Sequence, residues 1–534
     1  MNQTKLIPIA VGITGHRNLS FADEGALKAA VGKELNNLKE LYPNSPLVLL
    51  TSLAEGGDLL CADCAKDLGI PMSVVMPYEK EAYIKNYSAE DKARFNAHLA
   101  AATEVFGAPE IELRKEGEAE YDYWFRQAGI YVAEHSQVQI ALWDGCEPKT
   151  EHGCGTAEAV DFSLNGSFIP KGRLPICSSE NNLVIHIMTP READKASGAV
   201  SYLGNKDKVF KILKDTDDFN KAAAEKINAS YPELIPGRQD EDAAIDRLEK
   251  LYNAADSLSL DNAALYKKVL ALLALASTAI AAAFLLYDEA NLTGMLLVCG
   301  IMMVLAFIIL RFAKKSDCHR KYIEYRVLAE SLRVQIFLRY AGLAVNAAEL
   351  FTWSEREESA WVMDALCALH IGDKPAKAHN IKECWIEDQK QYHEKAQQKT
   401  GLELKKNNGI LNAALIISIV VYAAALIFEI TCGGMLSAPA FELSGIEGWR
   451  TVIKILLGLL SVATLFMANY YGKQSLTRKA SDHSKMKDFY AAMAGMLERN
   501  GQTEEILLRL AKEELIENGN WCSYQRDNAP DFSL

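Results

Sequence analysis

Four long stretches of the chain carry almost no charge, and they limit what the chain can fold into. They are residues 269–287, 292–310, 410–428 and 452–471, and Lys454 is the one charged residue among them. About 20 helical residues cross a hydrocarbon core of roughly 30 Å, and a helix satisfies its own backbone polar groups there. Core helices of soluble proteins rarely run this long without charge. The sequence therefore predicts four transmembrane helices in two tight hairpins.

Basic residues flank the outer ends of both hairpins, whereas the first hairpin turn, residues 288–291, contains none. These basic residues are Lys267, Lys268, Arg311, Lys314, Lys315, Arg320, Lys321, Lys405, Lys406, Lys473, Arg478 and Lys479. The positive-inside rule places such ends in the cytosol. It predicts a multi-pass protein of the inner (cytoplasmic) membrane with both termini and the middle segment cytosolic. Arg450 and Lys454 fall on the opposite side, where long side chains can snorkel to the interface.

Net charge and cysteine content bear on which partners the protein binds. The net charge is −13, which argues against a nucleic-acid partner because such binding needs a basic face. A local basic pocket for a small anion is compatible with it. The eleven cysteines are scattered, as is typical of reduced thiols. Cys61 and Cys64 form a CxxC pair without a second pair at zinc-binding spacing. They are expected to be buried helix residues, and no metal is predicted.

The N-terminal part alternates between apolar strands and helices. Strands are predicted at 7–14, 47–52, 72–76, 138–143 and 184–188. Helices are predicted at 24–41, 58–68, 89–106 and 121–134. Strands without polar alternation, separated by helices, indicate a parallel sheet covered on both faces.

The predicted fold class is therefore a Rossmann-like α/β domain followed by an all-α membrane region with long cytosolic helices. The predicted domains are 1–195 for the α/β part and 196–265 for a helical linker. Two modules of two spans each follow at 266–400 and 401–534. A continuous helix is expected to leave the second span, another to enter the third, and a helix at 480–518 to end at Gly519.

Ligands of such sheets bind outside the carboxyl ends of the strands, so the loops there are the candidate site. The first loop contains Gly12, Thr14, Gly15, His16 and Arg17. Small residues let backbone amides approach a phosphate, and Arg17 can bind phosphate with a bidentate fork. The alternative is structural: the glycines would form a tight turn, and Arg17 would pair with a neighbouring carboxylate.

The second loop contains Ser52, Glu55, Gly56, Gly57 and Asp58. Glu55 is a candidate for binding a ribose hydroxyl, as acidic residues do in dinucleotide folds. Asp58 either contacts the ligand or caps the next helix.

The third loop contains Gly153, Gly155 and Thr156 just before a helix, a second set of amides for phosphate. Three such loops at one sheet edge predict a phosphate-containing ligand. Arg126 belongs to a helix with three aromatic residues that either walls a base pocket or packs on the sheet.

Three segments together resemble the SLOG superfamily, a Rossmann-like group related to the DprA and LOG proteins. They are GITGHRNL at 12–19, SLAEGGDLLCADCA at 52–65, and ALWDG with GCGTAEAV at 141–145 and 153–160. This resemblance covers residues 5–190 and implies a nucleotide or NAD-derived ligand, of the cyclic nucleotide or ADP-ribose type. Residues 325–342 and 513–527 are similar to SLATT modules, the two-span partners of such domains. That similarity implies a pore-forming or membrane-disrupting effector in prokaryotic antiviral defence.

The third loop departs from the LOG phosphoribohydrolases, whose motif Gly-Gly-x-Gly-Thr-x-x-Glu carries a catalytic glutamate. Here Ala159 stands at the position of that glutamate and Glu158 comes one residue early. One residue turns a helix by about 100°, so the motif favours phosphate binding over hydrolysis.

Three hypotheses follow. The first is a homo-oligomeric, ligand-gated membrane effector, because four spans leave little room for a pore in one subunit and a ring is the usual solution. The second is a membrane-tethered nucleotide or NAD hydrolase that uses Glu55 or Glu158 to cleave an N-glycosidic bond. The third is a nucleotide-regulated channel or transporter, although transporters usually place ionisable groups mid-membrane.

Overall fold

The computed structural model describes residues 6–147, 155–176, 181–192, 196–238, 242–432, 445–474 and 476–527. Within them, seven strands form one sheet in the order β4-β3-β2-β1-β5-β6-β7, parallel except for β7, which pairs antiparallel with β6. The strands are β1 (Ile9–Gly15), β2 (Leu47–Thr51), β3 (Met72–Met76), β4 (Glu104–Gly107), β5 (Val138–Trp143), β6 (Leu183–Met188) and β7 (Val200–Gly204). The central strands are buried almost throughout, as expected for a parallel sheet covered on both faces.

Helices follow the strands and then continue alone to the end of the chain. Those of the first half are α1 (Glu24–Leu41), α2 (Gly57–Asp67), α3 (Lys80–Tyr83), α4 (Ala89–Ala101), α5 (Glu120–His135), α6 (Thr156–Asn165) and α7 (Lys206–Lys226). Those of the second half are α8 (Ala243–Glu289), α9 (Gly294–Ser316), α10 (Cys318–Tyr340), α11 (Trp353–Glu358), α12 (Ala360–Leu369), α13 (Asp388–Thr431), α14 (Ile446–Gln474), α15 (Leu476–Asn500) and α16 (Glu504–Asp527). The predicted fold class, an α/β sheet followed by a long helical region, is confirmed.

The sheet is larger than the sequence predicts. β4 occupies the end of the predicted helix at 89–106, because α4 stops at Ala101 and the next residues pair with β3. β7 and α7 lie beyond residue 195, where the predicted domain ends. Asn220 of α7 accepts from the Ile7 amide at 3.1 Å and donates to its carbonyl at 2.8 Å, which ties α7 to the residues before β1.

The chain forms two compact units. The α/β unit comprises residues 1–258, 324–380 and 507–522, and the helical unit comprises residues 259–323, 381–506 and 523–534. The α/β unit thus includes segments that the sequence assigns to the membrane modules. In its core, the ring of Phe219 lies 5.3 Å from that of Tyr325 and 5.7 Å from that of Trp361. An N-terminal fragment without α10 and α12 would expose this aromatic cluster.

Among the described residues, four helices are long and apolar enough to span a membrane: α8, α9, α13 and α14. Their large apolar side chains point outward; Leu297 is 71% and Ile416 60% exposed. A hydrocarbon environment would cover such side chains. Three of the four predicted spans lie within these helices, and the second, 292–310, begins two residues before α9.

Two expected helix boundaries are wrong. Asp317 adopts a left-handed conformation with φ of 52° and separates α9 from α10, so the second span does not run on unbroken. Gly519 lies inside α16 instead of ending a helix, and the break falls at Gly501, whose φ is 74°. A left-handed conformation favours glycine, and Gly501 adopts it. Gly519 is helical, so its position does not require glycine.

The basic residues that depart from the positive-inside pattern are paired with carboxylates. Arg450 lies 2.9 Å from Glu429 and 2.8 Å from Glu447, and Lys454 lies 3.1 Å from Glu289. These pairs cancel the positive charge at this end of the hairpins. The cytosolic location of the other end remains a prediction.

Gly458 of α14 allows close approach to α8. A Cβ atom at this position would lie 2.7 Å from both terminal carbons of Leu285, whereas one at Gly300 of α9 would meet nothing within 4 Å. Gly458→Leu is therefore expected to destabilise the bundle by about 1–3 kcal/mol through overpacking. Thermal unfolding of the full chain in detergent measures this, and Gly300→Leu is the matched control. Equal melting temperatures for the two variants would contradict the helix contact.

Candidate ligand-binding site

A cavity of about 510 Å³ opens at the carboxyl edge of the sheet in the α/β unit. This volume lies within the usual range for small-molecule sites, about 300–1,000 Å³. The loops after β1 and β2, the start of α6 and one side of α5 surround it. Its lining includes Thr14, Gly15, His16, Arg17, Ser52, Asp58, Gly155 and Thr156 among the sequence-predicted residues. The structure therefore brings all three predicted loops to one cavity.

Glycines hold the first two loops against each other. The amide of Gly57 donates to the His16 carbonyl at 3.0 Å. A Cβ atom on Gly15 would lie 2.8 Å from the Cα of Gly57. Gly56 has φ of 84°, and a Cβ there would lie 2.3 Å from the Arg17 carbonyl oxygen. The structure assigns Gly56 and Gly57 this packing role, and neither lines the cavity.

Gly12 lies deeper in β1 and is also a packing residue. A Cβ atom there would lie 2.5 Å from Ser136 Oγ, so glycine lets the end of α5 approach the sheet. It does not line the cavity either.

Asp58 organises the second loop from inside. Its carboxylate accepts from the Thr51 hydroxyl at 3.0 Å, and the amides of Ser52 and Ala54 also donate to it. These bonds hold Leu53 in a left-handed conformation with φ of 53°. The N-cap of α2 is Gly56, so Asp58 does not cap the helix as considered from the sequence. Burial raises the pKa of Asp58 to about 6, and its hydrogen bonds limit the rise.

The raised pKa of Asp58 predicts a loss of stability with rising pH. Because the folded-state pKa is about 6 against a model-peptide value of 3.8, the contribution is fully present below pH 4 and lost as the pH rises through 6. The total is on the order of 3 kcal/mol. The melting temperature of the full chain should fall relative to that of Asp58→Asn between pH 5 and pH 7.5. A pH-independent difference between the two proteins would contradict the raised pKa.

Arg17 stands at the mouth of the cavity. Its guanidinium carbon lies 4.4 Å from the centroid of the Phe125 ring, and one Nη donates to the Tyr121 hydroxyl at 3.2 Å. In the part of the chain that the structure describes, Arg17 forms no ion pair with a carboxylate. Tyr121, Phe125, Tyr78 and Tyr83 form a cluster of aromatic rings beside it. The guanidinium is thus oriented by aromatic groups and keeps donors for a ligand, so the clamp considered from the sequence is not formed among these residues.

His16, also in the lining, is buried and belongs to a chain of polar contacts. Arg191 Nη2 lies 2.9 Å from His16 Nδ1, and His16 Nε2 lies 3.3 Å from a carboxylate oxygen of Asp144. Burial, followed by the charge of Arg191, lowers the pKa of His16 below its ordinary value, so the ring is neutral at pH 7. The backbone amide of Asp144 also donates to His16 Nε2 at 3.0 Å. Arg191, half-exposed, is a second cation in the lining, and its Nε lies 3.5 Å from a carboxylate oxygen of Asp144.

The third loop is described only in part. Gly153 lies outside the described residues. The Gly155 amide donates to the Glu158 carboxylate at 2.8 Å, so Glu158 caps the N-terminus of α6. Thr156, the first residue of α6, lines the cavity. Glu158 therefore has a structural role that the catalytic alternative did not anticipate.

Arg126 and Glu55, like Gly12, Gly56 and Gly57, lie outside the cavity lining. Arg126 is buried on α5 with its guanidinium bound to Glu112 and to Glu118, 2.6 Å from the latter, so its expected ligand-binding role is replaced by a structural one. Glu55 does not line the cavity, and its backbone amide donates to the Tyr87 hydroxyl. Neither Glu55 nor Glu158 lines the cavity.

Sequence reasoning missed several lining residues, two just after the first loop and the others on elements distant from the glycine loops. These are Asn18, Phe21, Tyr83, Phe125, Gly129, Val132, Gln139 and Arg191. One signal was available: Gln139 is a polar residue in the middle of an otherwise apolar strand. Cys61 and Cys64 are buried in α2 and burial raises both thiol pKa values, in agreement with the structural interpretation. Among the described residues no group of three or more potential metal ligands occurs.

Neither a protein-family model nor a curated protein matches this chain. The SLOG and SLATT resemblances therefore rest on the quoted segments alone. The site must be interpreted from its own geometry.

Proposed function

We propose that this protein is a membrane effector whose α/β unit binds a nucleotide or NAD-derived signal, which then triggers permeabilisation of the membrane by the four apolar helices. The observation that carries the proposal is the position of Arg17. It lies over Phe125 at the mouth of the cavity and has no carboxylate partner among the described residues. An arginine oriented by aromatic rings, with free donors, is suited to a phosphate group.

The surroundings of Arg17 support an anionic and partly apolar ligand. Arg191 adds positive charge, which its ion pair with Asp144 offsets in part. The start of α6 adds the partial positive charge of a helix N-terminus, which Glu158 offsets in part. Phe21, Phe125 and Val132 supply apolar surface. Nucleotides combine charged phosphates with an apolar ring, and this lining accommodates both.

The hydrolase alternative is less well supported. Glu158 caps α6 and Glu55 lies outside the lining, so neither proposed carboxylate is placed at the cavity wall. Asp58, the carboxylate that lines the cavity among the described residues, accepts hydrogen bonds from its own loop. The transporter alternative lacks the mid-membrane ionisable groups that such proteins use, because Lys454 stands near the end of its span.

The effector hypothesis extends to prokaryotic antiviral defence through the SLOG and SLATT resemblances. A gated pore of four-span subunits would be a homo-oligomer in the inner membrane, with the α/β unit cytosolic. Helix α8 connects the unit that contains the cavity to the first span. It is continuous from Ala243 to Glu289, through the end of the α/β unit into the first span.

The test is calorimetric binding with the full chain in detergent, because residues 324–380 and 507–522 belong to the α/β unit and an N-terminal fragment would lack them. The panel is NAD, ADP-ribose, cyclic ADP-ribose isomers, cyclic di- and trinucleotides, and AMP. We expect saturable binding of at least one member without its conversion. Turnover of the ligand would favour the hydrolase, and no binding by a folded protein would contradict the proposal.

A further inference from the structure

Gln139 is a buried amide without a partner in the described part of the chain. It lies in the middle of β5, beside Gly12 of β1 and Val184 of β6, and is 1% exposed. Neither its Oε1 nor its Nε2 has a hydrogen-bond partner among the described residues. Buried polar side chains are nearly always paired, and each exception needs an explanation.

Two other buried glutamines of the same unit show the usual situation. Gln137 accepts from the Ala10 amide at 2.6 Å and donates to the Asp364 carbonyl at 2.7 Å. Gln127 accepts from the Ile111 amide and donates to the Glu112 carbonyl. Their amides stabilise the fold directly. Gln139 differs from both because it is part of the cavity lining.

Small and apolar residues share the cavity lining with Gln139. Gly129 and Val132 of α5 and Ala159 of α6 line the same cavity, and Gly12, beside Gln139 in the sheet, has no side chain. A central strand of a parallel sheet normally carries apolar residues, so an unpaired amide here weakens the free protein. Such a residue fits a site in which a bound molecule completes its hydrogen bonds.

We propose that Gln139 recognises the adenine base of the ligand, with the base in the apolar inner part of the cavity and the phosphates at Arg17. A glutamine amide places one donor beside one acceptor, and adenine presents the complementary pair at its N6 amino group and N7. The small residues of the same lining, Gly129 and Ala159, leave space for a flat ring. This inference rests on the proposed nucleotide-binding function and adds the class of base.

The first test uses the unaltered full chain in detergent. Calorimetry compares ADP-ribose with an analogue in which unsubstituted purine replaces adenine, which removes the 6-amino donor and keeps both phosphates. We expect the analogue to bind at least tenfold more weakly, because without the 6-amino group the Gln139 acceptor stays unpaired. Equal affinities overturn the inference while leaving nucleotide binding intact. Absence of binding of every panel nucleotide overturns the proposed function and this inference together.

The second test uses Gln139→Leu, which keeps the side-chain size and removes the amide. Its affinity for ADP-ribose should fall at least tenfold, and its discrimination against the purine analogue should disappear. Its melting temperature without ligand should equal or exceed that of the unaltered protein, since no internal bond is lost. Gln137→Leu is the control, expected to lower the melting temperature. A Gln139→Leu protein that binds ADP-ribose normally overturns the inference.

Discussion

Replacing Arg17 with alanine is expected to weaken binding of a phosphate-bearing nucleotide by roughly tenfold to a hundredfold, the usual value of a charge-assisted hydrogen bond. Arg17 is partly exposed and bonds only to Tyr121 among the described residues. Its loss should therefore leave the fold intact. Calorimetry on the full chain measures the affinity, and thermal unfolding confirms that the melting temperature is unchanged.

Two further variants make the result specific. Arg17→Lys keeps the charge but loses the planar fork that lies over Phe125, so it should restore only part of the affinity. Arg94→Ala removes an arginine that pairs with Asp63 and Asp91 and does not line the cavity, and it should bind normally. If Arg17→Ala binds as tightly as the unaltered protein, the ligand does not contact this side of the cavity.

Replacing Gly56 with alanine is expected to destabilise the α/β unit by about 3 kcal/mol or more. Its left-handed φ of 84° disfavours a side chain, and a Cβ would lie 2.3 Å from the Arg17 carbonyl oxygen, so the backbone must shift. The shift would move the first loop and disturb the cavity. Thermal unfolding and nucleotide binding should therefore deteriorate together.

Gly69, which follows the end of α2, provides a matched control. It is also left-handed, with φ of 65°, but a Cβ there would meet nothing within 4 Å. Gly69→Ala should cost only the conformational strain, about 1–2 kcal/mol, and should leave binding unchanged. Equal losses of stability in the two variants would show that the contact between the loops contributes nothing.

The sequence predicts the parts of this structure that depend on local pattern. Uninterrupted apolar runs identify the four long helices, and apolar strands between helices identify the centre of the sheet. The edge strands β4 and β7 escape prediction because exposed edge strands lack a continuous apolar run; Val105 and Val200 are both exposed. The inclusion of α10 and α12 in the α/β unit depends on contacts distant in sequence, such as those of Trp361 with Phe219.

The same distinction applies to the candidate site. The glycine loops could be located from sequence because a strand end, glycine and a helix start are consecutive. The sequence could not show whether each residue faces the cavity, because that depends on the partners of its side chain. Arg126 is paired with Glu118, so its guanidinium does not reach the cavity. The Glu158 carboxylate accepts from the Gly155 amide at the start of α6. Phe125 and Arg191 reach the cavity from elements that carry no local motif.

The central claim is that a nucleotide bound in the α/β unit controls the permeability of a membrane formed around the four spans. The most direct measurement is ion release from liposomes reconstituted with the full chain, after external addition of the panel nucleotide that binds tightest. Membrane-impermeant nucleotide reaches the subunits whose α/β unit faces outward. We predict rapid release that requires the nucleotide and is greatly reduced in Arg17→Ala liposomes at the same concentration. Saturable nucleotide binding without any release from these liposomes would contradict the account.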